Sequence, residues 1–187
     1  MSRIAIALVH HPVLDRDGEV VTTAMTNLDL HDMARSARTY GASAMYVAHP
    51  IEAQRELVRR IREHWVEGSG KKRIPDRARA LELVRTTVTL DEAIELAGGR
   101  AAGELWTTAA ASRGRTASSF SAARERLARS DKTVLLVFGT GWGLAPDVLE
   151  AADVHLEPIR GAPGSDFNHL SVRAACAIAL DRLLGER

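Results

Sequence analysis

The chain has a single cysteine in 187 residues, so no disulfide can form within it and the core alone must hold the fold. That cysteine, Cys176, lies in an apolar segment, where a small buried residue is the natural reading. Aromatic residues are scarce, at 4% of the chain. A stacking platform for unpaired bases needs several exposed rings and is therefore not expected. No apolar run reaches the ~20 residues of a membrane span. Met1-Ser2-Arg3 leads straight into a strand-like run and not into a leader segment, so a cytoplasmic location is expected. His10 and His11 are adjacent but have no third ligand close by. Neighbouring strand residues point to opposite faces, so no metal site is expected. The net charge is only +1, which gives no overall attraction to polyanions.

The charge is unevenly distributed. Residues 54–80 hold nine Lys/Arg against four Asp/Glu, and residues 112–132 hold six against two. Residues 133–187 reverse this, with four against seven. The two basic stretches suit phosphate contacts, with Arg59, Lys71, Lys72, Arg73, Arg113 and Arg115 as the candidate RNA-binding residues. The competing reading is an ordinary solvated helix face.

Length and composition suit one domain spanning 1–187. Apolar residues from Arg3 to Val9 predict a central strand covered on both faces. A turn at Asp15–Gly18 and a brief extended piece over Val20–Thr26 follow. Asn27 or Asp29 is placed to cap a helix that ends at Gly41. Ser43–Val47 predicts a strand and Ile51–Val66 a helix, with Leu57, Val58, Ile61 and Trp65 on one stripe. Glu67–Pro75 predicts a mobile basic loop, and Asp76–Leu83 a short helix. Arg85–Val88 predicts a strand, and Thr89 to Glu92 form a capping box for a helix closing at Gly98-Gly99. Gly103–Thr108 predicts a strand, Ser112–Ser118 a loop, and Phe120–Arg129 a helix. Strands at Val134–Phe138 and Val154–Glu157 precede a final helix, Leu170–Leu184. This alternation defines an α/β fold with a mostly parallel sheet and helices on both faces.

Gly139, Gly141 and Gly143 follow the Val134–Phe138 strand at alternate positions, a pattern that permits a sharp turn and close approach to a ligand. The G-x-G-x-G spacing departs from the G-x-G-x-x-G of dinucleotide loops, and a P-loop Gly-Lys-Ser/Thr is missing. Only 44 residues follow Gly143, too few to complete a Rossmann domain begun there.

The combination GTGWGL (139–144), LEPI (156–159) and NHLSVRAA (168–175) resembles the SPOUT class of RNA methyltransferases, most closely a bacterial tRNA-methyltransferase-like family. The resemblance covers nearly the whole chain. It implies a deep trefoil knot over about 134–185 and S-adenosylmethionine (SAM) as cofactor. By the same resemblance the cofactor-binding residues are Thr107, Thr108, Ala109, Phe138, Gly139, Thr140, Gly141, Gly143, Pro158, Ile159, Asn168, His169, Leu170 and Ser171. A second match is Arg35-Ser36-Ala37 with Gly41, which resembles the early helix of SPOUT ribose methyltransferases. There the family's usual Asn falls on Asp29. This implies Arg35 as the base or phosphate clamp at the reactive nucleotide. Its competing reading is a surface arginine paired with Asp32. His169 and Asp166 are the other catalytic candidates, and Asn168 has a competing reading as the final helix's cap. The resemblance implies a tRNA or rRNA substrate and a homodimer; base and ribose methylation both stay open. The alternatives are a Rossmann-like nucleotide-binding enzyme and a non-catalytic SAM- or RNA-binding protein.

Reversing the charge of Lys71, Lys72 and Arg73 is expected to weaken RNA binding at low salt, read by fluorescence anisotropy; unchanged affinity would remove the basic segment from the contact.

Overall fold

The computed structural model describes residues 4–111 and 114–186. At its centre is β1 (Ile4–Val9), buried along its whole length. The strand feeds two cores: Ile4, Ile6 and Leu8 enter one, and Ala5, Ala7 and Val9 enter the other. A strand covered on both sides needs no polar face, which is why its sequence shows no alternation. A hairpin of β2 (Val13–Leu14) and β3 (Val20–Val21) follows. The Asp15 carboxylate holds its turn by accepting from the amides of Asp17 and Glu19.

Helix α1 (Asn27–Thr39) begins at Asn27, the first of the two candidate caps. Thr26 is the cap, and its hydroxyl accepts from the Asp29 amide. Next come β4 (Met45–Ala48), α2 (Glu52–Val66), α3 (Gly70–Arg73) and α4 (Pro75–Leu81). The expected mobile loop at 67–75 is thus largely a helical turn. Its cause is packing, because Gly70 is buried against the Trp65 ring, where a Cβ would come within 2.7 Å of Cε3. Then follow β5 (Val84–Thr87), α5 (Leu90–Leu96), α6 (Gly99–Ala102), β6 (Gly103–Thr107) and α7 (Phe120–Arg129). The chain closes with β7 (Thr133–Gly139), α8 (Pro146–Glu150), β8 (Val154–His155) and α9 (Val172–Leu184).

Six strands form one parallel sheet in the order β5-β4-β1-β7-β6-β8. Numbered by appearance within this sheet the order is 3-2-1-5-4-6. A Rossmann sheet runs 3-2-1-4-5-6, so the fifth strand here has inserted between the first and the fourth. That order removes the Rossmann alternative. Residues of α1, α2, α4, α7 and α9 join one core, and residues of α5 and α8 join the other, so helices cover both faces as expected.

The late strands set a crossing. β8 lies outside β6, whereas α9 packs against α1, α7 and β7. The 156–171 connection must therefore cross the β6–α7 connection, and the two touch. Ser118 bridges Leu156, and the Glu157 carboxylate accepts from the Phe120 amide at 2.9 Å. At the opposite end of the sheet the buried Glu104 carboxylate accepts two hydrogen bonds from Arg126, both 2.9 Å, and one from Trp106 Nε1. The Arg126 hydrogen bonds hold that carboxyl below its usual pKa, a charged group kept inside because it is paired.

The glycine loop lies on the β2 segment. Leu14 N donates to Gly143 O and Trp142 N to Leu14 O, both at 2.8 Å. Gly141 has φ +59°, and a Cβ there would sit 2.7 Å from Leu14 O. Gly141→Ala is expected to destabilise the protein by ~1–3 kcal/mol, read as a lower urea midpoint. An unchanged midpoint would mean the loop adapts freely.

Candidate cofactor and RNA site

Open parallel sheets present their sites beyond the carboxyl ends of the strands, and here those ends carry a buried polar network. Thr140 Oγ1 donates to Val9 O at 3.1 Å and lies 2.5 Å from Thr23 Oγ1. Because Thr140 spends its proton on Val9, the Thr23 hydroxyl donates to Thr140. Thr23 Oγ1 then accepts from His10 Nδ1 at 3.0 Å. His10 is therefore the neutral Nδ1–H tautomer, and its Nε2 is buried without a partner among the described residues. His49, at the end of β4, is fixed as well. Its Nε2 donates to Thr23 O at 2.9 Å, and its Nδ1 accepts from the Ile51 amide at 3.1 Å. The two rings lie 5.1 Å apart. Burial, and then the charge of His49, push the His10 pKa down to about 4. Protonation would place a charge on Nε2, where no acceptor waits. Four segments are thereby tied together: the ends of β1 and β4, the lead into α1, and the glycine loop.

A second structure closes the segment after β8. Asn168 Nδ2 donates to Ile159 O at 3.1 Å. Ser165 Oγ donates to Phe167 O at 3.2 Å. A Cβ on Gly161 would meet Phe167 O at 3.3 Å, so the loop doubles back on itself. Asn168 is thus the neck of this loop and not the cap of α9. Ser171 is the cap, with its hydroxyl accepting from the Ala174 amide. Residues 161–170 are all exposed, including His169 and Asp166.

The third part is α1. Arg35 projects from its exposed ridge and has no hydrogen bond or ion pair among the described residues. The pairing with Asp32 suggested by sequence does not occur, because Asp32 faces Arg173 Nε at 3.6 Å. Arg173 also donates from Nη1 to the buried Asp29 carboxylate at 3.0 Å. Asp29 accepts a 2.6 Å bond from Thr26 Oγ1 as well. One arginine in the first turn of α9 therefore fastens that helix to the N-terminal turn of α1.

The remaining candidates fall into two groups. Thr107 is buried, with Oγ1 2.8 Å from His155 Nδ1, and Thr108 Oγ1 donates to Val137 O. Ala109 and Gly141 are exposed, and Leu170 is more than a third exposed. Phe138 and Pro158 are buried. Gly139 pairs with Val9 in the sheet. Among the basic residues, Arg59 is neutralised by Glu52 and Glu56, whereas Lys71, Lys72 and Arg73 are exposed on α3. Arg115 is half-buried, and after burial its charge is the second cause lowering the His155 pKa. Arg113 lies outside the described residues. A groove of about 290 Å³ along β5, lined in part by Arg59, Arg62 and Arg85, is remote from these loops. Sequence reasoning missed His49, Thr23 and Arg173. Only the placement of His10 and His49 just after apolar strands was a signal for them.

This combination defines an α/β methyltransferase fold of the SPOUT class, with its loop cluster at the carboxyl ends of the late strands. The chain belongs to the SAM-dependent RNA methyltransferase family, which matches residues 3–185. It is 44% identical over 180 residues to a protein of Oleidesulfovibrio alaskensis named tRNA (guanine-N(1)-)-methyltransferase. That match covers 96% of this chain but 41% of the relative's length. It is 42% identical over 181 residues to an uncharacterized protein of Aquifex aeolicus, covering 96% of this chain and 87% of that one. The crystal structure of TrmJ from Z. mobilis superimposes with a TM-score of 0.61 at 17% identity, covering 96% of this chain and 67% of that one.

The loops fit the family's cofactor. The necked segment 159–168 offers amide and hydroxyl groups. Gly143, with φ +112° and nothing within 4 Å of a would-be Cβ, leaves open space beside Trp142.

The buried histidines make stability depend on pH. His10 is lowered in the fold, so its contribution is complete above pH ~6.5 and is lost as pH falls toward about 4. His31, His49 and His155 are lowered too and add in the same direction. Unfolding free energy is expected to drop by ~2–3 kcal/mol from His10 alone over that interval. His10→Gln is expected to flatten the pH profile measured by urea unfolding; an unaltered slope would mean that His10 titrates normally.

Proposed function

We propose that the chain methylates a nucleoside of tRNA, working in the cytoplasm as a homodimer. The observation that carries this reading is the Asp29–Arg173 pair. It joins the helix bearing Arg35 to the helix that follows the proposed cofactor loop, so the nucleotide-facing arginine and the cofactor segment keep one geometry. The 44% identical relative named for tRNA methylation supports the substrate class. The contact between Ser118 and Leu156, where the two late connections cross, supports a trefoil knot in the same region. Trp142 is 57% exposed and Phe167 72%. These large apolar groups beside the loops suit a site covered by a second subunit.

SAM supplies an electrophilic methyl group. The chain's own work is to orient the acceptor and remove its proton. The Asn168–Ile159 neck and the carbonyls and amides of residues 139–143, with Thr108 and Ala109, would hold the cofactor. Leu170 and Ser171 flank it. Arg35, charged and with no ion pair among the described residues, would clamp the ribose or phosphate of the target nucleotide. His169 and Asp166, exposed in the same loop, are the groups available to take the proton.

Calorimetric titration with SAM, run beside NAD and ATP, is expected to show binding of SAM alone. Arg35→Ala is expected to keep that binding while transfer to tRNA falls by about 10²-fold or more. Turnover that survives the substitution would leave Arg35 a structural role only. Binding of NAD or ATP in place of SAM would overturn the reading.

A further inference from the structure

Trp65 organises a cluster that takes no part in the proposed methyl transfer. The buried Gly70 backbone packs on its ring, which brings α3 and its Lys71, Lys72 and Arg73 against α2. The Arg77 guanidinium stacks over the same ring, 4.5 Å from the centroid. His31 of α1 meets it edge-on at 5.7 Å. Among the described residues Arg77 has no carboxylate partner, its Nε has no acceptor, and His31 Nδ1 has none. The nearby acids are engaged elsewhere: Asp76 faces Arg79 at 3.5 Å, and Asp32 faces Arg173. Burial first, and then the positive charges of Arg77 and Arg35, hold the His31 pKa below its usual value while Asp32 opposes them. Both arginines therefore act on one imidazole from two helices.

The result is a row of basic side chains that form no ion pair among the described residues. It runs from Arg35 through His31 and Arg77 to α3. A half-buried guanidinium held only by a ring face gains most from an external anion, and it binds phosphate oxygens in a fixed planar geometry. The row starts at the residue that faces the target nucleotide, so a nucleic-acid backbone accounts for it better than a lone anion does. We propose that Trp65, Arg77 and His31 form a phosphodiester-binding site that continues the RNA path from Arg35 to the basic turn α3. The inference rests on the RNA methyltransferase reading and adds to it the surface that positions the substrate strand.

The test is fluorescence anisotropy with unfractionated bacterial tRNA across a KCl series, with SAM titration in parallel. Arg77→Gln is expected to weaken tRNA binding by about 3–10-fold at low salt and to reduce the salt slope by about one, with SAM affinity unchanged. Hydrogen exchange of the unsubstituted protein, which needs no variant to fold, is expected to show protection of residues 70–77 by tRNA. If the unsubstituted protein binds tRNA with a steep salt dependence but Arg77→Gln alters neither affinity nor slope, the inference falls and the general reading stands. Lack of protection at 70–77 overturns it equally. A protein that shows no salt-dependent tRNA binding takes both down. A variant that loses only self-association in sedimentation assigns the surface to a protein contact and overturns the proposal.

Discussion

Beside β1 lies β7, where a Rossmann sheet would place the preceding strand, and the pairing runs unbroken from Ile4 opposite Val134 to Val9 opposite Gly139. The glycine loop must therefore emerge next to the end of β1. Thr140 reaches back to Val9 O because Gly139 is in register with Val9. The loop then lies down on the β2 segment, close enough at Gly141 that a side chain would strike Leu14 O. With β7 taken into the centre, β6 moves outward and β8 becomes the edge. The path from β8 to α9 then has to cross the β6–α7 connection. The loop cluster follows from this one pairing.

Holding so many chain reversals at one end of a sheet leaves polar groups inside, and a network of neutral side chains satisfies many of them. Two histidines and two threonines form the network, with hydrogen bonds that fix each tautomer. A charged pair flanks it: Arg55, paired with Glu52, donates to the His49 and Pro50 carbonyls. Glu104 with Arg126 sits at the opposite end, and Asp29 with Arg173 lies between helices. The neutral network suits the proposed cofactor loops above it. A neutral buried layer beneath the loops neither repels nor traps the cofactor's sulfonium charge, whereas an ionised carboxylate there would bind that charge in the ground state and oppose its loss during transfer.

What the sequence revealed depended on whether the cause was local. β1 was legible because six consecutive apolar residues have one explanation in a parallel sheet. The start of α5 was legible too, since the Thr89 hydroxyl accepts from the Glu92 amide as the capping pattern predicts. The cap of α1, Thr26, lies one residue before Asn27 and three before Asp29, because all three are competent caps and only the tertiary position of Asp29 decides among them. The α3 turn was invisible: Gly-Ser-Gly followed by three cations reads as a loop until Trp65 supplies a surface. Helix α8 left one signal, Pro146 in its first turn. Strand order left none, since periodicity reports which faces are buried and not which strand is the neighbour.

The resemblance to ribose methyltransferases leads one to expect asparagine where Asp29 stands, and α9 gives Asp29 a physical account. A carboxylate buried at that point requires a partner, and Arg173 provides it across 3.0 Å while also facing Asp32. Two acids on α1 and one arginine on α9 thus form a closed set. An asparagine could accept one hydrogen bond from the same guanidinium but could not compensate its charge, so the departure in α1 and the arginine in α9 make sense only together. The closed set also draws off the acid that would otherwise pair with Arg35 within its own helix, since Asp32 sits three residues before it. Arg35 consequently stays exposed, with no ion pair among the described residues, on a helix that is itself fixed at its N-terminal turn. The ion pair acts on the site by leaving a different charge available.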